Sequence, residues 1–239
     1  MDKSIIKLIL IIFLIFVGIY LFIDSHETLE IGSESIGYVV KDTYSHYSNP
    51  NAKIAIVSGM HPRETLSSQV LPFLIKIYAF LNNVEIVNYH VTVLDNSENF
   101  VIGRANGEKL VRNHVVKDIA KSNFDLVIIG HDHEEGYGEG FYIATPSMDS
   151  KSVTLADNVI EDIPYFNYYK RDVSIAPQSS SIRMVNNPIV ATGTPLFVYE
   201  IPERSWFVEA FIESYSLIDA SFKNIWFYNK ELNFWQNCL

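Results

Sequence analysis

The chain has 239 residues, 48% of them hydrophobic and 19% charged, with a net charge of -10. That balance suits one globular domain plus an extra apolar element and excludes a disordered chain. With no Lys/Arg cluster to offset it, the negative charge excludes nucleic acid and anionic lipid as ligand surfaces. A single cysteine, Cys238, rules out an internal disulfide framework and a Cys-based zinc cluster, so any metal must be held by His and carboxylates.

The extra element comes first. Residues 5 to 23 read IIKLILIIFLIFVGIYLFI, interrupted only by Lys7. As a helix such a run crosses ~30 Å of hydrocarbon, and Lys7, near its end, can snorkel. Lys3 and Lys7 precede the run's centre while Asp24, Glu27 and Glu30 follow it. The positive-inside bias therefore predicts a single-pass anchor with a cytoplasmic N-terminus and the remainder outside. A cleaved signal peptide is the alternative, but the flank LFIDSHETL carries no small-x-small cleavage pattern. On this reading residues 1–29 are anchor and short linker, and residues 30–239 one catalytic-sized domain with room for a single core.

Apolar runs rich in Val, Ile and Tyr predict strands at about 36–40, 53–58, 84–94, 125–130, 140–144 and 195–201. Between them lie helical patterns. The first runs from Pro62, at its opening turn, to Leu81, with Pro72 expected to kink or split it; others are predicted over 107–121, 152–162 and 205–225. Alternating strands and helices predict an α/β fold with a mixed, largely parallel central sheet flanked by helices. Ligands of such sheets bind beyond the carboxyl ends of strands.

Three stretches fall at such places. The segment VSGMHPRETLSSQ puts His61 and Glu64 three residues apart just after the strand at 53–58. Two donors at this spacing can face one ion if a third comes from elsewhere. DLVIIGHDHEE supplies that third donor at another strand tip: alternation puts His131 and His133 on the same side, either one able to ligate. The last clear strand, PLFVYEI, buries Glu200 among apolar residues of both faces. A buried carboxylate there costs several kcal/mol unless it is paired or protonated, so it usually has a task; the plain alternative is that alternation turns Glu200 toward solvent.

HxxE after one strand, a later strand-end His and a Glu in a still later strand resemble the zinc carboxypeptidase superfamily, most of all its succinylglutamate desuccinylase and aspartoacylase branch. The similarity spans roughly residues 53–205. It implies a minimal catalytic core holding Zn²⁺ through His61, Glu64 and a second histidine, His131 or His133, with Glu200 as general base. Arg104 and Arg112 are then the candidates for binding a substrate carboxylate. Two positions depart from the pattern: Val111 stands where the Asn of an Asn-Arg pair is expected, although Asn113 follows Arg112, and Ile129 where an Asp precedes the second histidine. The resemblance implies a metallopeptidase or deacylase, a hydrolase of small-molecule or peptide substrates that carry a free carboxylate.

Two rival readings compete with this one. GHDH at 130–133 resembles the closing motif of calcineurin-like metallophosphatases, but Gly59 stands two before His61, no GDxxD lies between 61 and 130, and Asn113-His114 lacks its glycine. A two-metal site cannot be assembled from these residues. The other rival is a membrane-anchored binding protein of the same fold without turnover, favoured by Val111 and Ile129.

Overall fold

The computed structural model describes residues 3–24, 26–176 and 179–236. Eight strands form one sheet: β1 (His26–Glu34), β2 (Gly37–Tyr44), β3 (Lys53–Ser58), β4 (Glu85–Val93), β5 (Leu126–His133), β6 (Tyr142–Thr145), β7 (Asn167–Lys170) and β8 (Leu196–Pro202), in the order β1-β2-β4-β3-β5-β8-β6-β7. The central four, β4, β3, β5 and β8, are parallel. Antiparallel pairs flank them, β2 on β4 at one side and β6 on β8 at the other.

The helices are α1 (Lys3–Asp24), α2 (Thr65–Leu81), α3 (Phe100–Leu110), α4 (Val116–Ile119), α5 (Ser150–Asp162), α6 (Asn187–Val190) and α7 (Phe207–Gln236). Two π-helical turns, Val111–Val115 and Ile182–Asn186, lead into α4 and α6. Side-chain alternation in the buried strands makes two cores. Ile54, Ile56, Leu126, Ile128, Phe197 and Tyr199 pack with α2, α5 and α7 on one face. On the other, Val57, Val127, Ile129, Leu196 and Val198 pack with α3, α4, α6 and the π turns. The chain leaves β3 through α2 toward β4 and returns through α3 and α4 to β5, on the other side of β3. The carboxyl ends of β3 and β5 thus flank a topological switch point, where open α/β sheets place their ligands.

Several expectations are corrected. No helix among the described residues is long and apolar enough to cross a membrane, which overturns the single-pass anchor and the localisation built on it. The part of α1 whose side chains are described, residues 4–18, rises only about 22 Å at 1.5 Å per residue, short of the ~30 Å hydrocarbon core; the side chains of residues 19–24 lie outside the described residues. Residues 26–29, expected as linker, pair with β2 in a hairpin. That edge strand is mostly exposed and polar, HETLEIGSE, so it lacks the alternation that marks a half-buried strand. Helix α2 starts at Thr65 rather than Pro62 and runs on through Pro72. Helix α3 starts seven residues before the expected 107, capped by the Asn99 side chain, which accepts from the N–H groups of Val101 and Ile102.

Candidate metal centre

The loop after β3 is shaped by two glycines. Gly59 has φ +73, open to glycine at no steric cost, and a Cβ there would press on the Val91 carbonyl. Gly107 of α3 lies so close to the loop that a Cβ would overlap the carbonyl oxygen of Met60. This close approach sets Glu108 beside His61. Gly107→Ala should therefore cost about 1–3 kcal/mol by overpacking, read as a lowered melting temperature.

After the glycine turn the chain folds back at HPRE. The Glu64 N–H donates to the His61 carbonyl at 3.0 Å, with Pro62 at the second position of the turn, where its fixed φ is favoured. His61 Nδ1 lies 2.8 Å from Glu64 Oε1, and His131 Nδ1, from the tip of β5, 2.5 Å from Glu64 Oε2. The two imidazoles stack with centroids 4.4 Å apart, both nearly buried, at 4% and 5% exposure. Ligand atoms of His61, Glu64 and His131 all lie within 4.8 Å of one another.

Around this trio sit more charged groups. His61 Nε2 is 3.6 Å from Glu108 Oε1, and Glu108 accepts from Ser180 Oγ at 3.0 Å and Ser181 Oγ at 2.5 Å. Arg104 Nη1 is 3.7 Å from Glu64, its Nε 3.5 Å from Glu108, and its Nη2 donates to Ser181 Oγ at 3.4 Å. Glu200 pairs with His131 across the β5–β8 ladder. His61, Glu64, Arg104, His131, Ser181 and Glu200 line a cleft of about 500 Å³.

Burial and neighbours set the charges. Burial opposes ionisation of Glu64, but His131 and His61 outweigh it and hold its carboxyl far below the ordinary range. Glu108 is likewise lowered to about 2, its burial overcome by His61, Ser181 and Ser180. Glu200 goes the other way: burial pushes it up to about 7, with Glu64 adding to the effect and His131 and Arg104 opposing it. Glu64 and Glu200, which share the cleft, thus differ in basicity.

The remaining predicted residues fall elsewhere. His133 lines the cleft, but its ring is held between the carbonyls of Gly140 (Nε2, 2.9 Å) and Glu134 (Nδ1, 3.2 Å). Arg112 is exposed, on the π turn, with Nη1 3.5 Å from the Met184 carbonyl, and does not line the cleft. Eight residues of helix carry it about 12 Å along the axis from Arg104. Glu108 was missed by sequence reasoning; the GE pair at 107–108, a glycine inside a helix followed by a carboxylate, was its signal.

Comparison with solved structures follows this geometry. A metallo-carboxypeptidase from Burkholderia cenocepacia superposes with a TM-score of 0.60 at 11% identity, over 84% of this chain and 65% of that one. A Pseudomonas aeruginosa metallo-carboxypeptidase in complex with (2-guanidinoethylmercapto)succinic acid gives 0.59 at 12%, over 86% and 65%. The fold is that of the metallo-carboxypeptidases. A third such neighbour, a putative carboxypeptidase A from Shewanella denitrificans, gives 0.57 at 15% identity, over 87% and 65%. This chain spans 65% of the length of each of these three neighbours. No family model matches the chain and no curated protein matches it by sequence.

The donor set fits the metal that the fold implies. Two imidazole nitrogens and a carboxylate are the three-ligand combination of catalytic zinc sites that keep a fourth position open. The Nδ1 atoms of two buried, stacked rings and both oxygens of one carboxylate converge within reach of a single point, the approach that a divalent ion requires of its ligands.

Proposed function

We propose that this protein is a zinc-dependent hydrolase that cleaves an amide bond next to a carboxylate, acting on a peptide C-terminus or an N-acyl amino acid. The observation that carries this is the convergence of His61, Glu64 and His131 within 4.8 Å beside a carboxyl, Glu200, poised near pH 7. His61, Glu64 and His131 would hold the ion. Zinc, when bound, supplies Lewis-acid chemistry, polarising a carbonyl and activating water near neutral pH.

The other steps belong to the chain. Glu200 takes the proton of the attacking water and returns it to the leaving amine, work suited to a group whose pKa lies near the operating pH. Arg104 is the guanidinium at hand for the substrate carboxylate. Its bonds in the free protein are long, 3.4–3.7 Å, so it can exchange them for shorter, charge-assisted ones. Arg112, exposed and not lining the cleft, has no part in this proposal. That the Pseudomonas aeruginosa neighbour holds a succinic acid derivative supports a carboxylate-bearing ligand for this fold.

The test is a panel of peptides and N-acyl amino acids assayed with zinc, with a chelator, and with zinc restored. Chelator-sensitive release of an amine supports the proposal. Arg104→Ala should raise KM about 10- to 100-fold, the loss of one charged hydrogen bond of ~1.5–3 kcal/mol. A zinc-loaded protein that cleaves nothing on the panel points to the second reading, a binding protein without turnover, which the exposed Arg112 and the Val111 beside it favour.

A further inference from the structure

We infer that Asp132 is a positioning residue that keeps the Glu64 carboxylate free for the metal, an inference that rests on the zinc reading above. Glu64 occupies the N-cap position of α2. Side chains at that position ordinarily accept from the N–H groups of the second and third helical residues. Glu64 makes no such bond. The Leu66 and Ser67 N–H groups donate instead to Asp132 Oδ2 and Oδ1, at 2.7 Å each.

Helix α2 thus receives its cap from the neighbouring strand. Side chains at 131 and 132 point to opposite faces of β5 because the strand alternates. One strand tip therefore gives the site a ligand, His131, on one face, and on the other caps the helix whose own cap residue is the carboxylate ligand. Both oxygens of Asp132 thus sit at the positive end of the helix.

Removing that carboxylate leaves two N–H groups without their acceptor, at the end of the helix where partial positive charge gathers. The nearest replacement in sequence is Glu64 itself, at the position built to supply it. A Glu64 drawn into capping turns away from His61 and His131, and the site loses its carboxylate.

The experiment measures zinc affinity of the full chain by competition with a chromogenic chelator, alongside the melting temperature of the zinc-free protein. Asp132→Ala should weaken zinc binding by about tenfold or more, the size of effect that partners orienting metal ligands produce. Asp132→Asn, which keeps one acceptor oxygen, should lose less, yet measurably. Folded variants that bind zinc as tightly as the wild type, with only the melting temperature lowered, would overturn the inference and leave Asp132 a helix cap alone. Should the alanine variant not fold, the asparagine variant decides by the same criterion. A wild type that binds no zinc sinks the underlying reading instead, so the two failures are distinguishable.

Discussion

Glu200→Gln should keep zinc and lose hydrolysis by about 10²–10⁴-fold, the contribution of a positioned general base. The amide matches the carboxylate in shape but cannot accept a proton. Its site is otherwise intact: Glu200 lies on β8 opposite His131 in the ladder and does not belong to the trio that converges on the ion. The pH profile provides a second readout. Glu200 is raised to about 7 by burial, and the base works only when ionised, so activity should fall as pH drops through its pKa. A bound cation favours the ionised form, so the acid limb of kcat/KM in the zinc-loaded enzyme lies at or below about 7. In Glu200→Gln that limb should disappear from whatever activity remains. Retained activity with an unchanged acid limb would remove Glu200 from the mechanism.

His131→Ala should abolish measurable zinc binding, whereas His133→Ala should leave it in place. The contrast is sharp because the two residues lie two apart on one strand and are equally buried. His131 Nδ1 reaches Glu64 Oε2, while both ring nitrogens of His133 face backbone carbonyls. Losing one of three protein ligands leaves two, too few for a catalytic zinc site. Equilibrium dialysis followed by metal analysis reads the result. Loss of zinc from His133→Ala with retention in His131→Ala would reverse the assignment.

Much of this was legible in the sequence because buried parallel strands write themselves as near-continuous apolar runs. The runs at 53–58, 125–130 and 195–201 appear as β3, β5 and β8, and the residues at their carboxyl ends gather around one cleft. Local conformation was less legible. HPRE suggested a proline opening a helix, but the helix starts three residues later, because the turn that brings His61 and Glu64 together uses Pro62 itself. FVIGRAN, with Gly103 inside it, fell outside the helix predicted over 107–121, yet α3 begins at Phe100, and Gly107, without a Cβ, lets it approach Met60. The extra turns moved Arg104 onto a helix facing the cleft, and the π turn carried Arg112 to the surface. Asp132 could be read only as added charge; its bonds to α2 depend on a strand-to-helix contact between residues 65 and 66 positions apart.

The most direct measurement is a crystal structure of the zinc-loaded protein with anomalous data at the zinc absorption edge. One peak per chain is predicted, about 2.0–2.2 Å from Nδ1 of His61, Nδ1 of His131 and a carboxylate oxygen of Glu64, with Glu200 facing the same cleft. No peak, or a peak on His133 with the trio unliganded, would contradict it.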